Sequence, residues 1–219
     1  GLLPAQPMKV DRPAQAAKAV AALRRLYPDA DCELTFKGPL QLTVAVILSA
    51  QCTDKRVNMV TPALFRRYKT AADFAAADPA ELEGLIRSTG FFRSKAKSIR
   101  EMAAAVVRDF GGRVPDTMAE LLTLRGVARK TANVILNEAY GKSEGVVVDT
   151  HMKRVAFRLG LTRKTDPVQV ERDLMACLAP SEWNYFGIGA IWHGRRVCFA
   201  RKPACATSTL PSFCPKRGG

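Results

Sequence analysis

Long apolar runs are missing from this sequence. The longest, Val44-Ala45-Val46-Ile47-Leu48, is far short of the roughly 20 residues that a membrane-crossing helix needs, which excludes a helical membrane span. The opening Gly1-Leu2-Leu3-Pro4-Ala5 lacks a charged leader followed by an apolar stretch, so no secretory signal is read. The expected location is therefore intracellular, cytoplasm or nucleoid. Alternating strand patterns are missing too: Val146-Val147-Val148 is too short to carry a sheet. No internal repeat and no low-complexity stretch stands out. Acidic residues are scarce, 20 against 34 lysines and arginines, a net charge of +14. That excess points to a polyanionic partner, nucleic acid first and an anionic membrane surface second.

What remains is an ordinary globular composition, 47% hydrophobic and 7% aromatic over 219 residues, enough to bury a sizeable core in one large domain or two small ones. After a loose tail over residues 1–12, almost everything reads as helix. Ala14–Tyr27 is alanine-rich and stops at Pro28. Leu40–Gln51 is apolar enough for a central helix, and Asp54–Tyr68 follows with Thr53 as its cap. Asp78-Pro79-Ala80-Glu81 is a helix start with cap, proline and acid in order, and that helix ends at Gly90. Ser94–Phe110 stops at Gly111-Gly112. Thr117-Met118-Ala119-Glu120 matches a capping box opening a short helix to Leu124. Arg129–Tyr140 closes at Gly141, Asp149 can cap His151–Leu159, and Asp166-Pro167 starts one more. The fold class is all-α.

Between Leu121 and Ala139 the pattern is helix, four-residue loop Arg125-Gly126-Val127-Ala128, helix. Small loop residues let a phosphate approach the backbone, and the next helix offers amides and a positive dipole end beside Arg129 and Lys130. Such a grip positions DNA without reading its sequence. An ordinary αα-hairpin with solvated basic residues fits this stretch equally well.

The wider pattern separates the two. Leu124-Arg125-Gly126-Val127-Ala128-Arg129-Lys130-Thr131-Ala132-Asn133, followed by Val148-Asp149-Thr150-His151, resembles the helix–hairpin–helix and catalytic segment of the endonuclease III family of bifunctional DNA glycosylases and AP lyases. Leu48-Ser49-Ala50-Gln51-Cys52-Thr53-Asp54, Gly90-Phe91-Phe92-Arg93-Ser94-Lys95-Ala96, His193-Gly194-Arg195 and the C-terminal cysteines extend the resemblance from about residue 13 onward. Two departures sit in the hairpin: Arg125 where the family usually has Pro, and Ala128 where it usually has Gly. A Cβ at Ala128 is expected to strain the backbone or crowd the phosphate, with Arg125 adding compensating charge.

The resemblance implies a helix–hairpin–helix glycosylase fold, two helical domains flanking a DNA-binding groove. A six-helix barrel containing the hairpin would span 33–143, and 13–32 plus 144–219 would form the second domain. It implies Lys130 as nucleophile and Asp149 as its partner. An amine attacking the anomeric carbon expels the base and leaves an imine, which permits strand cleavage by β-elimination. A serine could not form that Schiff base. A lysine is protonated at neutral pH, so the chemistry asks for desolvation or neighbouring positive charge. Asp149 can accept a proton, orient a water or stabilise an oxocarbenium-like sugar. The target base must leave the duplex, and the family's gap-filling positions fall at Gln51, whose amide can pair with the orphaned base, and Phe91, whose ring can stack. His151 matches a histidine beside the aspartate. The DNA-contacting set implied is Gln51, Phe91, Arg125, Gly126, Val127, Ala128, Arg129 and His151.

Cys198, Cys205 and Cys214 fall on three positions of the family's C-x6-C-x2-C-x5-C signature for a [4Fe–4S] cluster, with Ser208 at the third. Three thiolates leave one iron needing another donor, for which Ser208 or water would serve; a degenerate loop held by packing is the alternative. Either way the segment reads as structural. Cys32, Cys52 and Cys177 read as ordinary buried cysteines. The implied activity is removal of oxidised pyrimidines from double-stranded DNA and cleavage at abasic sites, by a monomer. A related glycosylase of other preference is one rival; the adenine-specific relatives fit less well, because they lack the lysine. The other is a DNA- or lesion-binding homologue with weak or AP-site-restricted catalysis.

Overall fold

The computed structural model describes residues 10–207 and 210–216, with the side chains of Thr207 and Pro211 outside that description. Its described residues contain helices and connecting turns but no strand. They divide into two compact units, Cys32–Glu144 and the described residues on either side of it.

The Cys32–Glu144 unit contains α2 (Gly38–Leu48), α3 (Asp54–Arg67), α4 (Ala71–Ala75), α5 (Pro79–Ile86), α6 (Phe92–Phe110), α7 (Met118–Leu121) and α8 (Arg129–Tyr140). α6 buries Ala96, Ile99, Met102, Ala103 and Val106, the one-face spacing of an amphipathic helix. Each of its larger side chains contributes roughly 1.5–3 kcal/mol by leaving water. α2 is apolar almost all round and lies in the core, with Leu42, Val44 and Leu48 fully buried.

The expected starts at Thr53 and Asp78 are real caps, accepting the amides of Arg56 at 3.1 Å and Glu81 at 3.0 Å. Other boundaries differ from expectation. α2 ends at Leu48 instead of Gln51, because the Cys52 N–H turns back to the Ser49 carbonyl at 3.1 Å and Gln51 takes φ +50°. A short 3-10 turn, Arg87–Thr89, separates α5 from Gly90. α6 begins two residues before Ser94. At Thr117 the reciprocal capping box does not form: its hydroxyl accepts the Glu120 N–H at 3.3 Å but lies 2.8 Å from Glu120 Oε1. α7 accordingly ends at Leu121, and 3-10-type bonds carry the chain to Leu124.

The other unit holds α1 (Arg12–Leu26), α9 (Thr150–Arg158), α10 (Pro167–Cys177), α11 (Trp183–Arg196) and the cysteine segment. α1 starts inside the stretch expected to be a tail, because Asp11 caps it by accepting the Ala14 N–H. Residues 1–9 lie outside the described residues. Leu23, Met152, Leu174 and Phe186 anchor the core of this unit, and Gln15 Nε2 closes it by donating to the carbonyls of Leu159 (3.0 Å) and Phe213 (2.8 Å).

Candidate active site

The hairpin loop lies between α7 and α8. Gly126 has φ +80°, and a Cβ built on it would lie 3.3 Å from Ile47 Cγ1 and 3.4 Å from Ser98 Cβ. Only glycine suits a position that is both left-handed and pressed against α2 and α6. Ala128 caps α8 with its backbone at φ −90°, ψ 176°, extended geometry open to any residue. The strain expected from its Cβ is therefore absent. No side chain caps α8, so the positive end of the helix dipole faces the loop. Lys130, the second residue of α8, is exposed there. Arg129 beside it is half-buried. Val127 turns inward, its side chain buried and its N–H donated to the Leu124 carbonyl at 3.2 Å. Arg125 is exposed and paired with Glu101 at 2.8 Å.

In the other unit, Asp149 caps α9: its Oδ1 accepts the Met152 N–H at 2.8 Å. The half-buried His151 is the second residue of that helix, with Nδ1 3.3 Å from Arg154 Nη2. α11 packs on α9 through Gly194, where a Cβ would meet both the Cβ and the carbonyl oxygen of His151 at 3.0 Å. This close approach sets the start of α9, and with it Asp149. His193 next door is buried, 3.0 Å from the Tyr27 hydroxyl, and burial pushes its pKa down to about 4.

Gln51 and Phe91 share an unusual feature. Both hold positive φ, +50° and +45°, which costs a residue with a side chain roughly 1–2 kcal/mol. Both are exposed, and 65% of Phe91 is open to water.

Cys198, Cys205 and Cys214 line one small cavity of about 30 Å³ together with Val155, Arg158 and His193. Arg158 Nη1 donates to Cys198 Sγ at 3.3 Å, and the Lys216 N–H to Cys214 Sγ at 3.4 Å. Burial, and after it the neighbouring Cys198 and Cys205 sulfurs, push the Cys214 thiol up, against the Lys216 N–H. Among the described residues no three His, Cys, Asp or Glu groups converge on a single ion. A four-iron cluster asks for a different geometry, one thiolate per iron with N–H donors to the sulfurs. Three cysteines on one cavity, with N–H donors to the Cys198 and Cys214 sulfurs, supply part of that set. Ser208 lies outside the described residues. Cys32, Cys52 and Cys177 are half-buried, and burial pushes Cys177 up to about 11.

Three cations went unnoticed in the sequence. Arg154 donates to the carbonyls of Cys198 (2.9 Å) and Gly194 (2.7 Å), and Arg158 to those of Phe199 (2.6 Å) and Ala200 (3.1 Å). They tie the cysteine segment to the helix that Asp149 caps. Lys95 is the third, buried in the Cys32–Glu144 unit.

Residues 44–180 match the family model of HhH-GPD superfamily base excision DNA repair proteins. The chain is 55% identical to endonuclease III of Synechocystis sp. over 201 residues, 92% of either chain, and 44% identical to that of Bacillus subtilis over 86% of either. The chain belongs to the endonuclease III family. Among solved structures, an endonuclease III in non-covalent complex with DNA superimposes with TM-score 0.88 at 40% identity, covering 93% of this chain and 95% of that one. A trapped endonuclease III–DNA covalent intermediate matches with the same score and identity over 93% and 96%. A thermostable thymine-DNA glycosylase, 22% identical with TM-score 0.81, shares the fold. No helix among the described residues is long and apolar enough to cross a membrane.

Proposed function

We propose that this protein excises oxidised pyrimidines from double-stranded DNA and cleaves the strand at the resulting abasic site, working on the chromosome as a monomer. The observation that carries the reading is the exposed amine of Lys130 at the uncapped start of α8, in a chain similar along nearly its whole length to endonuclease III. The phosphate backbone is held at the α8 end by the amides of the hairpin and by Arg125 and Arg129, and the +14 charge supports the encounter.

Lys130 Nζ, once deprotonated, attacks the sugar C1′. The C1′–N bond breaks and the base departs with the electron pair. Loss of the amine proton and opening of the sugar ring give an imine, and removal of a C2′ proton expels the 3′ phosphate. Lys130 is exposed, so its desolvation comes from the DNA that covers it, with Arg129 as the neighbouring positive charge. Asp149 uses one oxygen for the α9 cap and has Oδ2 to take the proton or face the developing positive charge on the sugar. Gln51 and Phe91 fill the space vacated by the flipped base, and His151 stands beside the aspartate. Cys198, Cys205 and Cys214 would hold a [4Fe–4S] cluster, with Ser208 or water as the fourth donor. Its contribution would be cross-linking of the segment rather than electron transfer in the excision step.

Borohydride trapping tests the reading, because only an imine is reduced to a stable cross-link. Wild-type protein is expected to trap on both thymine-glycol and abasic duplexes, and Lys130→Gln on neither while still binding them. Absence of a trapped complex with wild type on both duplexes sinks the lyase assignment. Trapping on abasic DNA alone selects the AP-site-restricted alternative.

A further inference from the structure

Leu48 and Thr89 present a shared problem. Leu48 ends α2, and because the chain turns at Gln51 its carbonyl loses the intrahelical partner that Cys52 would have been. Thr89 ends the 3-10 turn before Gly90, and its residue is buried. An unpaired buried carbonyl is costly. Lys95 Nζ donates to both, at 2.8 Å each. The lysine is 6% exposed, and a positive charge at the carbonyl end of a helix is well placed against its dipole. α2 has no basic residue of its own in its last turn.

The two carbonyls stand three residues before Gln51 and two before Phe91, the non-glycine residues at φ +50° and +45°. We infer that Lys95 is a positioning residue: one ammonium pins the two turns that hold Gln51 and Phe91 in their left-handed conformations, setting the spacing of the pair that enters the DNA. The inference rests on the gap-filling reading of Gln51 and Phe91. Each turn is local and has only a short chain reversal to keep it left-handed, so the bond that joins them supplies what neither has alone. Desolvation pulls the Lys95 pKa below its usual value, yet its donors are met by carbonyls. An apolar side chain of similar length would fill the space and leave both oxygens unsatisfied.

The test is a fluorescence titration of the full-length protein with a duplex carrying 2-aminopurine opposite a tetrahydrofuran abasic analogue. The change at saturation reads engagement of the orphaned base, and anisotropy on the same duplex reads binding. Phe91→Ala and Gln51→Ala are expected to reduce the saturating change several-fold. Lys95→Met is expected to reduce it by a comparable factor with a wild-type circular dichroism spectrum, and Lys95→Arg to recover most of it. If Lys95→Met does not fold, Lys95→Gln, which keeps an N–H donor too short for both carbonyls, takes its place with the same expectation. A full-sized change in the Lys95 variant, alongside reduced changes in Phe91→Ala and Gln51→Ala, overturns the inference. Full-sized changes in Phe91→Ala and Gln51→Ala overturn the gap-filling reading beneath it.

Discussion

Gly126→Ala strikes the hairpin twice. At φ +80° an alanine pays roughly 1–2 kcal/mol of backbone strain. Its Cβ would also stand 3.3 Å from Ile47 Cγ1 and 3.4 Å from Ile47 Cδ1 and Ser98 Cβ, inside the 3.5–4.0 Å at which carbon atoms attract, adding about 1 kcal/mol of overpacking. The less flexible unfolded chain returns about 0.4–1 kcal/mol. The net loss is about 2 kcal/mol, or about 4–8 °C in Tm for a chain of this length. Gly141 is the internal control: its φ is +62° with nothing within 4 Å of a built Cβ, so Gly141→Ala carries strain alone, about 1 kcal/mol. Thermal melts of both variants measure the difference. Relief of the crowding must move the loop away from α2 and α6, so Gly126→Ala is also expected to weaken binding to an abasic-analogue duplex by about tenfold, while Gly141→Ala leaves it unchanged. Equal melting points and equal affinities for the two variants would refute the argument that close packing at Gly126 fixes the hairpin.

Gly194→Ala drives a Cβ into His151 from α11; helix propensity returns about 1 kcal/mol, so stability falls by no more than about 2 kcal/mol while the borohydride trapping rate drops at least tenfold. A trapping rate equal to wild type would show that α11 does not set the start of α9. Arg125→Ala removes an ion pair in which both side chains are 46% exposed, so the melting point should hold to within about 1 kcal/mol of stability, while the salt dependence of DNA binding falls by about one phosphate contact; an unchanged slope means the guanidinium stays with Glu101. Arg158→Met leaves the carbonyls of Phe199 and Ala200 without their donor, costing about 2–4 kcal/mol. It should also lower the absorption near about 400 nm that a [4Fe–4S] cluster gives purified protein, and wild-type absorbance in the variant would mean that the segment holds itself.

Four helix starts with a side-chain cap were legible in the sequence, because the cap is a local interaction between residues three apart, while the Asp11 cap of α1 was missed inside the expected tail. Asp78, Thr53, Asp149 and Asp166 all do what their spacing suggests. α4 and α11 were not legible. α4 is five residues long, and its cap, Thr70 with Asp73, precedes no apolar run. α11 carries Gly187, Gly189 and Gly194, which lower helix propensity; their purpose lies in what packs against them, Val147 at Gly187 and His151 at Gly194. The end of α2 was misplaced because a carbonyl at Leu48 is satisfied from Lys95, far along the chain.

The same distinction governs the site. Lys130 and Asp149 stand out because their flanking residues carry a pattern, whereas Lys95, Arg154 and Arg158 look like any of the 34 cations. Only the fold separates Lys95, 6% exposed, from exposed Lys97 two residues on. The consequence reaches beyond those residues. The +14 balance was read as charge for a polyanion, but Lys95, Arg154 and Arg158 spend theirs on carbonyls inside the protein. A cation satisfied internally releases no counterion when DNA binds. The number of phosphates this protein neutralises is therefore set by the cations exposed around Lys130, not by the charge of the chain.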